Sequence, residues 1–397
     1  MNKNILALVF LTFVISLLPL GAQEVEAVWD RIYRSSTNDD QRLAVMAQIL
    51  ELKSRSFGPL LQESLLDLIT RRIETGTPNE VSIKVTLSKK IIQVLGDIKM
   101  LEAAPEVYKV FEEVTDPILR GEALLTLGKM RAVEYAPALA RQLTILNFPP
   151  EASIARRGEI LAFALVQCLE LMKSAEAYEP VFFASIGWYS TRSRVREIAK
   201  NALTTMVDDP TESILRIING NLDISPMISA LEAAEASKAP QSNKAQVAQR
   251  TLAKALSLKA QNNSQRQFLS NLKIQTLKML VINQDKSSQT AELLKQNFVE
   301  GYNENSDEGE LLNTITALGS NGTETAVAFL SERLLSYNAR EKNRLNTARD
   351  TRIVREIIAA MGRAKSPLAK PALMEMQFSG YSGDTVRQAR AVLETLN

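Results

Sequence analysis

The chain has 397 residues, with 47 Lys and Arg against 45 Asp and Glu, 45% hydrophobic residues, a single Cys and no His. A net charge of +2 speaks against nucleic-acid binding driven by bulk charge, and this hydrophobic content excludes a disordered chain. Without His there are no imidazole general bases, His-dependent triads or usual catalytic zinc sites, and the lone Cys168 rules out an intrachain disulfide.

At the N-terminus Lys3 precedes an uncharged run from Ile5 to Leu18, and Pro19, Gly21 and Ala22 follow before charge resumes at Glu24. This layout predicts a secretory signal over 1–22, cleaved after Ala22, and a periplasmic or secreted protein; an uncleaved signal anchor is the alternative. The apolar run is shorter than the roughly 20 residues of a membrane span. Residues 24–38 read as a capping helix with Val25, Val28, Trp29 and Ile32 turned inward.

Helices are predicted next at 40–53 and 59–73, then, after a loop at 75–80, at 88–100 and 104–113. The clearest unit follows. Asp116 suits a helix cap and Pro117 the first turn, Leu124 and Leu127 share a face, and Gly128 suits a helix stop with positive φ or a close approach of the neighbouring layer. A second helix, with Pro137 in its opening turn, carries Ala136, Leu139, Ala140 and Leu143 at the spacing of a buried stripe. After a break at 147–151, helices fall at 154–172, 177–186 and 194–206. Asp209 and Pro210 open another helix that stops at Gly220. Residues 226–266 form an irregular, basic repeat read as a degenerate pair with a loose loop. Regular pairs resume at 268–281 with 290–299, then, after an acidic loop at 300–310, at 311–318 with 325–335 and at 351–361 with 371–378. A C-terminal cap helix occupies 382–397.

The unit recurs at one offset. Leu95-Gly96 precedes Pro105, Leu127-Gly128 precedes Pro137 and Met361-Gly362 precedes Pro371, each Pro nine residues after its Gly. Leu318-Gly319 matches with Ala328 in the Pro slot, and Leu50 and Leu171 stand in the Gly slot ahead of Pro59 and Pro180. With Asp116 and Arg120 opening the helix, this pattern resembles HEAT repeats, in particular the short HEAT-like variety also found in phycobilisome lyases. The resemblance implies an all-α fold, a right-handed α-α superhelix of about nine helical pairs running continuously over 23–397. It also implies a surface that grips proteins or peptides, and it gives the repeat's Asp and Arg residues a structural part in ladders between repeats.

The function expected is that of a non-enzymatic, exported scaffold or adaptor that binds other proteins through the solenoid surface and carries no cofactor or metal. The alternative is an enzyme on a HEAT solenoid, a base glycosylase or a lyase-like protein. Carboxylate pairs such as Glu112-Glu113 and Asp208-Asp209 are adjacent in sequence and so point apart on a helix. Two binding candidates stand out. One is the aromatic cluster Phe182, Phe183, Trp188 and Tyr189 with Arg192 and Arg194 beside it, because aromatics next to Arg make interface hot spots. The other is 236–284, which holds no Asp or Glu and in which Arg250, Lys254 and Lys259 could dock an anionic envelope partner.

Overall fold

The computed structural model describes residues 22–152, 154–220, 223–301 and 307–396. The export signal expected over 1–22 lies outside the described residues except for Ala22, as do residues 302–306 of the acidic loop expected at 300–310. Every regular element described is helical, twenty α-helices in all with short 3-10 turns between some of them. The contacts divide the chain into two compact units, Met1–Val207 and Asp208–Asn397.

In the first unit α1 (Ala22–Ser35) covers four helical pairs: α2 (Asp39–Leu52) with α3 (Gly58–Thr70), α4 (Pro78–Asp97) with α5 (Ala104–Glu113), α6 (Pro117–Met130) with α7 (Ala136–Leu146), and α8 (Ala155–Met172) with α9 (Tyr178–Ile186). Helix α10 (Val195–Thr205) packs on α8 and α9 and completes this unit. The second unit runs from α11 (Thr211–Gly220) through α12 (Ile224–Ala236) with α13 (Gln241–Ser257), α14 (Asn263–Ile282) with α15 (Ser288–Gly301), α16 (Glu308–Asn321) with α17 (Glu324–Lys342), and α18 (Ala348–Ala364) with α19 (Lys370–Glu375), to α20 (Gly383–Thr395). Each unit is thus an all-α stack of helical pairs in which the first helices of successive pairs touch directly. The cap helix α1 buries Trp29, as expected, together with Tyr33.

The repeated glycine does not stop its helix. Helix α6 runs through Gly128 to Met130, and the left-handed residue that ends it is Arg131, at φ 56°. Gly128 is instead a contact point. A Cβ placed there would lie 2.9 Å from the Cα and 3.1 Å from the carbonyl oxygen of Cys168, on the backbone of α8. The same holds at Gly319, where a Cβ would stand 2.6 Å from both the Cα and the carbonyl oxygen of Ala360 on α18. At Gly96 it would meet the Thr126 hydroxyl oxygen at 3.0 Å. Thr126 also donates from that hydroxyl to the Ile92 carbonyl across the same seam, at 3.1 Å. The glycine slot therefore sets how closely neighbouring layers approach.

The left-handed step after the first helix falls on Lys53, Lys99, Arg131, Lys173 and Lys365, each exposed. A left-handed L-residue is strained by about 1–2 kcal/mol, which a cation at the negative end of a helix offsets in part. A 3-10 turn follows each of these residues, and a Pro near the start of the second helix closes the motif. In the fourth pair Lys173 lies two residues after Leu171, whereas the other steps lie three after their Gly slot. That copy is one residue out of register, and its Leu171 is exposed.

Two stretches, one expected as a loop and one as a degenerate helical pair with a loose loop, are more regular than their polar composition predicts. Residues 75–80 hold the cap of α4: Thr77 and Glu80 form a reciprocal capping box with Pro78 in the first turn, so the helix begins at Pro78, ten residues before the predicted start. Residues 226–266 form two regular helices, α12 and α13, with a four-residue link, followed by the start of α14. The Asp116 carboxylate caps its own helix, accepting from the backbone N–H groups of Ile118 (3.0 Å) and Leu119 (2.7 Å). Arg120 turns back to the preceding helix, donating to the Phe111 carbonyl at 2.9 Å with its guanidinium over the Phe111 ring. The charge ladder between layers is made by other residues: Lys53 and Lys129 both reach Asp97, at 3.7 and 2.8 Å.

Candidate interaction surface

The aromatic cluster of the sequence is a joint between layers. Phe182 and Tyr189 are fully buried, and Phe183 and Trp188 are half-buried. Phe182 and Phe183 meet edge to face at 5.4 Å, and the Trp188 and Tyr189 rings lie 4.6 Å apart. The Trp188 indole donates to the Leu146 carbonyl at 2.9 Å and the Tyr189 hydroxyl to the Asn147 side-chain oxygen at 2.9 Å. Asn147 in turn donates to the Pro180 carbonyl at 2.9 Å. Burial, with Glu159 nearby, pushes the Tyr189 phenol above its ordinary range, so it serves as a neutral donor. The Glu159 carboxylate accepts from the Ser190 backbone N–H at 2.7 Å. A Cβ at Gly158 would sit 3.7 Å from Leu146 and 3.9 Å from the Trp188 ring. These contacts bring the end of α7, the first turns of α8 and residues 188–190 together at one corner.

The apolar groups that this corner exposes, unlike Arg192 and Arg194, were not singled out from the sequence. Ile145 is 61% exposed, Phe148 71% and Ile154 51%. Phe148 continues the turn that ends α7, its N–H bonding to the Ile145 carbonyl at 3.2 Å, and Ile154 stands at the N-terminus of α8. Arg156 and Arg157 are exposed in the first turn of α8, and Arg192, Arg194 and Arg196 are exposed at the start of α10. Of these, Arg194 is engaged by Glu197 at 3.0 Å, a bond that holds the Glu197 carboxyl below its ordinary range. Among the described residues the other four arginines form no ion pair. Helix α8 has no side-chain cap and no acidic residue in its first turn, whereas Asn38, Thr77 and Asp116 cap α2, α4 and α6. Cations at a helix start oppose the backbone dipole, so local helix stability does not explain Arg156 and Arg157.

The basic stretch 236–284 is divided by the fold. Lys238 pairs with Asp208 at 3.5 Å, Lys244 donates to the Glu235 carbonyl at 2.6 Å and Lys254 to the Asn219 carbonyl at 3.4 Å. Lys273 is buried against Glu310 at 3.3 Å. Arg250, Lys259, Arg266 and Lys278 remain exposed, spread over α13, the following link and α14. In the first unit, a cleft of about 510 Å³ is lined by Asp39, Asp40, Arg42, Asp67, Arg71 and Glu80 among others, but its charges largely satisfy one another. Arg71 binds Asp39 and Asp67, both at 2.9 Å, and Arg42 binds Asp67 at 3.2 Å. No helix among the described residues is long and apolar enough to cross a membrane.

No protein family matches the chain by sequence profile, and no curated protein matches it. Among solved structures, an engineered protein determined by the Northeast Structural Genomics Consortium is similar over 93% of this chain and 98% of its own, at 12% identity and a TM-score of 0.36. A likeness that low has no bearing on fold or function.

Proposed function

We propose that this protein is a non-catalytic scaffold, exported by a cleaved signal, which holds a protein partner on the surface of its helical repeats. One observation carries the reading: the corner of the first unit exposes Ile145, Phe148 and Ile154 beside arginines without ion pairs, over aromatics that are buried and hydrogen-bonded. Exposed apolar groups ringed by charge on a pre-ordered support are the makings of an interface, because little ordering entropy opposes binding. The Ala22 at which cleavage is expected is the first residue of α1, so processing there leaves the cap helix otherwise intact.

The test is a photo-crosslinking side chain placed at Phe148 in the full chain in cells, with a second at exposed Thr204 as a control. The expected result is a discrete protein adduct at Phe148 that is missing at Thr204, on a mature chain beginning at Gln23 outside the cytoplasm. An unprocessed cytoplasmic chain would reject export. The same adducts at both positions would reject the corner as the binding surface.

A further inference from the structure

We infer that the partner segment at this corner is acidic, with an aliphatic or aromatic side chain set among carboxylates; this rests on the scaffold reading above. Residues 145–160 and 187–200 together hold six cations, Arg156, Arg157, Arg192, Arg194, Arg196 and Lys200, against three carboxylates, Glu151, Glu159 and Glu197. Two of those carboxylates are committed within the fold, Glu159 to the Ser190 N–H and Glu197 to Arg194. The excess positive charge is therefore available to a partner. Five of the six cations are arginines, whose planar forks take carboxylates two bonds at a time and are less strongly hydrated than ammonium groups.

The apolar element fixes the rest of the partner's character. Phe148 with the two isoleucines presents on the order of 350 Å² of apolar surface, less than half of one side of a standard protein interface. That area suits a short segment better than a whole globular face. Arg156 and Arg157 lie on α8, and Arg192 and Arg196 on the turn before α10 and on α10 itself. Charges spread over separate elements, with apolar groups among them, match a chain of alternating acidic and apolar residues. One compact phosphate would need donors that converge.

The experiment selects a random peptide library on the purified full chain and on its R156E/R157E variant. Both substitutions are at exposed positions, and circular dichroism of the variant should match wild type. Peptides enriched on wild type should be net negative with at least one Leu, Ile, Phe or Trp. Their affinity should fall about tenfold or more on the variant and again at high salt, and R266E/K278E, at exposed positions of the second unit, should leave it unchanged. Neutral or basic winners, no enrichment, or equal binding to the variant would overturn the inference. Sedimentation with phosphatidylglycerol vesicles is the second arm. Arg156-dependent binding to vesicles without enrichment of acidic peptides would assign the corner to a membrane and overturn it too. A protein adduct at Phe148 alongside failed acidic selection would leave the scaffold reading standing and remove only the partner's chemistry.

Discussion

Gly121 and Gly128 lie on the same helix, two turns apart, and the structure sets their alanine variants apart. Replacing Gly by Ala inside a helix gains roughly 1 kcal/mol, because glycine has more backbone freedom to lose on folding. At Gly121 the new methyl would rest 3.6 Å from the Ala164 Cβ, an ordinary contact, so the gain is kept and stability rises by about 1 kcal/mol. At Gly128 it would stand 2.9 Å from a backbone Cα that can move only if α8 moves, and such overpacking costs about 1–3 kcal/mol. Gly128→Ala should therefore be neutral to about 2 kcal/mol destabilising, and Gly128→Val destabilising by more than about 1 kcal/mol. Substitution of Lys129, half-exposed and paired with Asp97, should cost at most about 1 kcal/mol. Urea titrations followed by far-ultraviolet circular dichroism measure all four. If Gly128→Ala raised the midpoint as Gly121→Ala does, the close approach of α6 and α8 would not be what requires glycine.

In the second unit, Lys273 and Glu310 are only 10% and 11% exposed at the side chain, so Lys273→Met alone strands a carboxylate and should cost about 2–4 kcal/mol; the double variant with Glu310→Leu should recover most of it in the same titration. Asp209 accepts from the Thr211 hydroxyl at 2.6 Å, with further bonds from the Thr211 N–H and the Asn243 amide, and its carboxyl is held below the ordinary 3.8. A lowered folded value means that the stabilisation is present above 3.8 and lost as the pH falls through the folded value. Asp209→Asn should thus be less stable than wild type near neutrality, with the gap closing in acid when thermal melts are compared across pH. Burial raises the Cys168 thiol well above its ordinary range, so a thiol reagent should label it only after unfolding, as mass spectrometry would show.

The helical pairs were legible because packing enforces them: Leu95, Leu127, Leu318 and Met361 ahead of each glycine are all fully buried. The glycine's role stayed open between two readings for a physical reason. A left-handed helix end and a close helix contact both demand the loss of Cβ, and spacing alone does not tell them apart. The left-handed step fell on Arg131, where the helix dipole favours a cation. At 75–80 a polar run was read as a loop because capping residues and loop residues share a composition. The binding surface was harder to read still. Aromatic density pointed to 182–189, yet Phe182 and Tyr189 are spent on the joint between layers, while Phe148 sits alone in a Pro-rich turn with no periodic signal.

The distinction between aromatics that hold the corner and those that present it can be measured. Tyr189→Phe keeps the buried ring and removes one hydroxyl, leaving the half-buried Asn147 oxygen without its 2.9 Å donor, and should cost about 1 kcal/mol. Phe148→Ser removes a larger group, yet at 71% exposure there is little packing to lose, and the cost should stay within about 0.5 kcal/mol. In the crosslinking and peptide assays the ranking should reverse, because Phe148→Ser deletes the contact while Tyr189→Phe leaves the exposed side chains in place. A Phe148→Ser variant that loses 2 kcal/mol or more would mean that this ring packs against the fold in solution. The exposed patch would then be smaller by its largest member, and only Ile145 and Ile154 would remain as apolar groups beside Arg156 and Arg157.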